Sequence, residues 1–308
     1  IVTVAPDADH IDASYWQNTQ TIPNTLEETI AYERIDSVES APKTFWDDYS
    51  LLDTRISLSD NLSISAPIAM YHFSRVEGHA LDFGIFVDDA FEKRFNSSSN
   101  ISYGFSDKKF KQDFNAGYLL GDYRTWEVKF RAFNKLNVLF EESDNYGELL
   151  STLVTLIAKN EFRDYYYSKG IELGIEGEVL PILKMRLNYK NKTDNSAFVN
   201  TDFSFFNKEK TYRENPPIFE TRINSLNLGF DFDFRDYIED GYFRRRTSLG
   251  RSYVLFSGDV TYSNPDFLSS DLNFTTYEAT VSAFIRTFKS AYMNINLYGR
   301  MTDGVTPY

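Results

Sequence analysis

From Asn224 to Phe234 every second side chain is apolar: Leu226, Leu228, Phe230, Phe232 and Phe234 alternate with Ser225, Asn227, Gly229, Asp231 and Asp233. A period of two sends the two sets to opposite faces of a strand, one toward an apolar medium and one toward water. The stretch exceeds the usual soluble strand of about 5–6 residues and fits the roughly 9–11 residues with which a tilted strand crosses a bilayer. The alternation recurs along the chain. Leu81, Phe83, Ile85 and Val87 alternate with Asp82, Gly84, Phe86 and Asp88, and Ile101, Tyr103 and Phe105 with Ser102 and Gly104. Phe110, Phe114, Ala116 and Tyr118 oppose Lys109, Lys111, Asp113 and Asn115, while Trp126, Val128 and Phe130 oppose Glu127, Lys129 and Arg131. Further strands are predicted through Ile171–Ile175, Leu183–Tyr189, Tyr253–Tyr262, Tyr277–Ile285 and Met293–Leu297, with an extension through Phe203 and Phe205. From Ile56 onward the count is about eleven strands.

Two segments break the period. Leu149, Leu150, Leu153, Val154 and Ile157 have helical spacing and place a helix inside a long loop between Glu141 and Lys169. Near the N-terminus, Thr25-Leu26-Glu27-Glu28 fits a capping box, and Leu26, Ile30, Ile35 and Val38 follow a helical stripe that ends before Pro42. That helix either packs at the mouth of a barrel or lies on the surface as a linker. Tight turns are expected at Asp107-Lys108, Leu180-Pro181 and Lys289-Ser290, and long loops around Pro216-Pro217 and after Asn264-Pro265. Short and long connections then alternate, with two exceptions: Arg235–Gly250 and the connection near Gly121. The predicted fold is all-β, an antiparallel transmembrane β-barrel over residues 56–308, preceded by a helical and irregular segment over residues 1–55.

Composition narrows the function classes. A net charge of -13 gives the chain a field that repels nucleic acid, so no nucleic-acid partner is expected. The chain has no Cys, which excludes disulfides and thiolate metal sites. No apolar run of about 18 residues exists, which excludes a helical membrane span. The mean hydropathy of -0.41 says little, because a barrel needs apolar residues only at alternate positions of its bilayer band. Ile1 to His10 has neither a basic nor an apolar leader region. Either a signal peptide has been removed or the chain starts inside a longer protein.

Four phrases resemble a known family. Phe73-Ser74-Arg75-Val76-Glu77-Gly78 resembles the F-N-R-V-E-G segment that opens the barrel in uncharacterised Bacteroidota outer-membrane proteins. Tyr103-Gly104-Phe105-Ser106-Asp107-Lys108 looks like their Y-G-F-x-D-K turn, and Arg163-Asp164-Tyr165-Tyr166 with Gly170 like their R-D-Y-Y…G strand entry. Tyr15-Trp16 with Glu27-Glu28 resembles their acidic pre-barrel segment. The resemblance implies an outer-membrane β-barrel, usually preceded by a carboxypeptidase-regulatory-like domain and distantly similar to the BamA/TamA bacterial surface antigen superfamily. Here that domain is absent, and Gly304-Val305-Thr306-Pro307-Tyr308 looks like a point where such barrels continue. The chain therefore reads as an internal fragment with closing strands beyond it. It carries no V-R-G-F lid motif, so an insertase activity has no support.

Arg75 and Glu77 are two apart, so on a strand they share a face. A charged pair in the lumen that fixes barrel shape is the expectation, ahead of catalysis or gating. Gly78 is expected to relieve crowding. The histidines are His10, His72 and His79, and neither H-E-x-x-H nor G-x-S-x-G occurs. A barrel-embedded hydrolase remains an alternative that requires His72 and His79 to converge with a carboxylate such as Asp82 or Asp88. Asp47-Asp48 and Asp88-Asp89 read as solvated turn charges, Tyr165-Tyr166-Tyr167 with Tyr237, Tyr242 and Phe243 as an aromatic girdle. Arg244-Arg245-Arg246 would attract lipopolysaccharide or inner-leaflet phosphates according to its orientation. The expected function is a non-enzymatic outer-membrane barrel, without cofactor or metal, in envelope biogenesis or as a scaffold or conduit. Its expected partners are outer-membrane lipid, lipopolysaccharide and other outer-membrane proteins or lipoproteins. An extracellular β-sandwich binding module has the same sequence period and stays open.

Overall fold

The computed structural model describes residues 25–28, 30–31, 50, 53–139, 147–241, 243–248, 250–289 and 291–306. The strands are β1 (Arg55–Ser59), β2 (Leu62–Ser65), β3 (Tyr71–Ser74), β4 (Gly78–Asp89), β5 (Phe95–Gly104), β6 (Lys109–Leu120), β7 (Trp126–Val138) and β8 (Tyr165–Leu180). They continue with β9 (Leu183–Ser196), β10 (Thr221–Asp233), β11 (Asp236–Asp240), β12 (Phe243–Thr247), β13 (Tyr253–Ser263), β14 (Phe274–Arg286) and β15 (Tyr292–Gly304). Thirteen of them form one sheet in the order β1-β2-β4-β5-β6-β7-β8-β9-β10-β13-β14-β15, with β3 also paired to β4; β11 and β12 form a separate hairpin. Every described pairing is antiparallel, so the chain is all-β in architecture. Among the described residues β1 and β15 do not pair, and the sheet is open.

The strand centred on Leu228 is β10, held between β9 and β13. The count exceeds eleven for two reasons. The edge beside β4 is broken in two, β2 pairing with Ile85–Val87 and β3 with Gly78–Leu81 across a 3-10 turn at Pro67–Ala69, and the connection after β10 folds into β11 and β12. Phe203 and Phe205 do not extend a strand; residues 197–220 form a loop. The expected helix is present as α1 (Glu148–Ala158). The capping box also forms: the Glu28 carboxylate accepts the Thr25 N–H at 2.8 Å, and the Thr25 hydroxyl accepts the Glu28 N–H at 3.3 Å. Leu26 and Ile30 of that helix are exposed, while Ile35 and Val38 lie outside the described residues.

The two ends of the sheet differ. One carries the connections 75–77, 105–108, 139–164, 197–220 and 264–273; the other carries 60–61, 90–94, 121–125, 181–182, 234–252 and 287–291. The connection at Gly121 thus belongs to the short-turn end and breaks no alternation. The 75–77 and Asp107 turns are the short ones among long loops, and 234–252 is long because it folds into the β11–β12 hairpin.

Cross-strand neighbours show what the alternation builds. Phe95, Tyr118, Val128, Ile175, Leu187, Leu228, Val260, Tyr277 and Met301 form one unbroken row from β5 to β15. Most of these side chains are exposed, Val128 by 42%, Leu187 by 49% and Leu228 by 47%. One residue along, the row on the other face is Glu127, Glu176, Arg186, Gly229, Asp259, Glu278 and Arg300. A cavity of about 700 Å³ is lined by this polar face from Arg55 on β1 to Thr261 on β13, which a flat sheet could not do. The sheet therefore curls with its charged face concave and its apolar face convex. That inverts the arrangement of a water-soluble sandwich, in which two sheets bury their apolar faces against each other.

Candidate functional site

The concave face is organised by shared charges. Asp113 on β6 accepts Arg131 through both carboxylate oxygens, at 2.9 and 2.7 Å, and Lys135 at 3.0 Å. Glu176 on β8 is shared by Lys129 at 3.0 Å and Lys184 at 2.7 Å, and Glu172 lies 2.8 Å from Lys190. Arg186 on β9 reaches Asp231 on β10 and, at 2.9 Å, Asp259 on β13. Each carboxylate or guanidinium bridges strands, so the face is stitched laterally while its charges balance. Partly solvated pairs of this kind contribute about 0–1 kcal/mol each.

At the loop-bearing end the charges become buried. Arg75 and Glu77 sit on the turn between β3 and β4, not on a strand, and they do not form the mutual pair expected of them. Arg75 is fully buried. Its Nη2 donates to Asp164 Oδ1 at 2.6 Å and to Asn215 Oδ1 at 3.2 Å, its Nη1 to the Glu161 carbonyl at 3.2 Å, and its backbone N–H to the Glu161 carboxylate at 2.8 Å. Glu77 faces a second cluster, with His72 Nε2 at 2.7 Å and Lys111 Nζ at 2.7 Å. Lys111 also reaches Asp107 at 2.9 Å, and Asp107 accepts the Tyr167 hydroxyl at 2.8 Å. The Tyr165 hydroxyl donates to Glu161. Gly78 ends the turn at φ +65°, and a Cβ there would run into the Ser106 side chain, so crowding and left-handed backbone both require glycine.

The electrostatics follow from these contacts. Burial alone would pull the His72 pKa down, but hydrogen bonds to Asp82, at 2.5 Å, and to Glu77 outweigh it and raise it to about 10. Burial would likewise push Glu77 up, yet His72 and Lys111 hold it at about 2. Glu161 goes the other way: burial lifts it despite Tyr165 and Arg75.

His72 and His79 do not converge. His79 is bonded to the Tyr71 hydroxyl at 2.9 Å and packs its ring against Phe73 and Phe203, on the strand face opposite His72. Asp88 pairs with Arg55 at 3.6 Å. His10, Asp47, Asp48 and Tyr242 lie outside the described residues. Tyr165 and Tyr167 are buried members of the ion network, not an exposed girdle, and Tyr166 lies under Lys192. Arg245 and Arg246 project from β12 at the short-turn end, where Arg246 reaches Glu178 at 3.2 Å.

Three of the four phrases that stand out in the sequence meet here. Arg75 and Glu77 come from the first, Asp107 from the second, and Asp164 and Tyr165 from the third; the network is their point of contact. Glu161, Lys111 and Asn215 complete it and carried no sequence signal of their own.

These features define an all-β protein with one curled antiparallel sheet, apolar outside, charged inside and pinned at one end by a buried ion network. The chain belongs to the family of unknown function DUF5686: residues 49–299 match its C-terminal domain. No curated protein matches the sequence.

Proposed function

We propose that this chain forms most of the wall of a bacterial outer-membrane β-barrel without enzymatic activity, serving in envelope biogenesis or as a scaffold or conduit beside other outer-membrane proteins or lipoproteins. The observation that carries the reading is the inverted sheet. Its leucines and phenylalanines stand exposed on the convex side, where lipid would cover them at a gain of about 1.5–3 kcal/mol per fully buried side chain. Its charges gather on the concave side, where water fills a lumen.

The band from Leu81–Ile85 on β4, through Val128–Ala132 on β7, to Val281–Ile285 on β14 is the membrane-crossing part. The β3–β4 turn and its ion network lie beyond it. In outer-membrane barrels the long loops face outward and the tight turns face the periplasm. That rule puts the Arg75 network on the cell surface beside lipopolysaccharide and the β11–β12 hairpin beside the inner leaflet. The likeness to the BamA/TamA surface antigen superfamily and to Bacteroidota proteins enters through the motif resemblance alone. A sandwich gains no support, because the described strands form one large sheet and one hairpin.

The test is fractionation of cells expressing the full-length protein, followed by gel mobility with and without boiling. An outer-membrane band that shifts on heating supports the reading. A soluble protein with unchanged mobility refutes it.

A further inference from the structure

Helix α1 turns most of its large apolar side chains outward. Its buried side is small and mixed: the Thr152 hydroxyl accepts the backbone N–H of Phe73 on β3 at 3.1 Å, the Thr155 carbonyl accepts the Tyr212 hydroxyl at 3.0 Å, and Leu156 packs against Phe73 and Tyr212. Its outer side carries Leu149, Leu150, Leu153 and Ile157, exposed by 49, 48, 45 and 46%. The loop over residues 197–213 is anchored to its C-terminal turn, where the Leu156 carbonyl accepts the Ser204 hydroxyl at 2.7 Å and the Phe205 N–H at 2.9 Å. That loop presents Phe203, Phe205 and Phe206 outward as well.

This surface runs on from the convex band. Leu81, at the start of the band on β4, has Tyr71 as its cross-strand neighbour. Tyr71 is bonded to His79, the His79 ring lies 4.9 Å from Phe203, and Phe203 lies 5.4 Å from Phe205. Contiguous exposed apolar surface of this extent marks an interaction site. Its continuity with the band argues for the same solvent on both.

We infer that α1 and the loop at Phe203–Phe206 form an interfacial foot whose occupant is the boundary between lipid headgroups and acyl chains. The inference rests on the barrel reading and extends it. An apolar helix face sinks about 5–10 Å into that boundary. Thr152 and Leu156 hold the helix to β3, leaving Leu149, Leu150, Leu153 and Ile157 for lipid.

The absence of native Cys allows single-site labelling of the chain. Leu153→Cys, Phe205→Cys and, on the band, Leu173→Cys would each carry a fluorophore. The labelled chain is assembled in phosphatidylcholine vesicles with nitroxide lipids labelled near the headgroup or at the chain end, and strand content is checked by circular dichroism. The expected result is loss of L153C and F205C emission to the shallow nitroxide and of L173C emission to the deep one. If L173C is quenched while the other two respond only to aqueous iodide, the inference falls and the barrel reading stands. Protection of L153C and F205C from both quenchers would assign the surface to a protein neighbour and overturn the inference as well. Silence of all three labels to lipid nitroxide overturns both.

Discussion

Arg75 holds a full positive charge where water does not reach it, and it is tolerated because Glu161, Asp164 and Asn215 surround the guanidinium. Replacing it by Ala takes the buried cation from Glu161 and leaves Asp164 with Arg213 alone. Arg75→Ala is therefore expected to destabilise the chain by about 3–5 kcal/mol, read as a lowered urea midpoint, with Arg75→Lys recovering only part. His72 and Glu77 set a pH window. His72 binds its proton more tightly when folded, so its contribution is complete below 6.5 and is lost as pH rises toward about 10. Glu77 has a depressed pKa, so its contribution is complete above 4.5 and is lost as pH falls toward about 2. Protease resistance of the loop-bearing end should be greatest between these limits, and His72→Gln should flatten the alkaline side. Arg75 and Glu77 stand out in the sequence but their setting does not, because two-residue spacing looks the same on a strand as in a turn. Arg75's partners Glu161 and Asn215 lie 86 and 140 residues away, beyond any local pattern.

At the scale of elements, legibility followed contrast between faces. β10 is plain because apolar and polar or small residues alternate without exception from Ser225 to Asp233, and α1 because its leucines repeat at helical spacing. β2 and β3, Leu62–Ser65 and Tyr71–Ser74, are too short and too mixed to show a period. β11 and β12 carry three charged residues in five each and show no alternation, so their sequence reads as a loop. The burial of Tyr165 and Tyr167 is not legible in Tyr165-Tyr166-Tyr167, because exposure on the strand is decided by the loops that fold over it. The same contrast makes register brittle. Inserting one alanine between Leu228 and Gly229 would turn Phe230 and Phe232 onto the charged face and Asp231 onto the apolar one. Strand signal in circular dichroism should collapse, whereas an insertion beside Gly241, in the turn between β11 and β12, should leave it unchanged.

For the whole molecule the decisive question is what touches the convex face. Leu173 lies between Phe130 and Tyr189 in the middle of the band. In lipid, Leu173→Arg should cost about 2–4 kcal/mol, as a midplane arginine does on a barrel. On a surface facing water it should be near neutral. Equilibrium unfolding from vesicles separates these outcomes, and a neutral result would remove the membrane from the account.

The ion network also carries a consequence in time. The pairs from β4 to β10 join neighbours in sequence and can form one after another as the chain lengthens. The cluster around Arg75 has to wait for Asn215, and closing so long a loop is entropically slow. In pulse-labelled amide exchange the hairpins from β5 to β9 should gain protection first, and β3 with α1 last. The loop-bearing end of this sheet would then be the part that matures after the rest has taken shape.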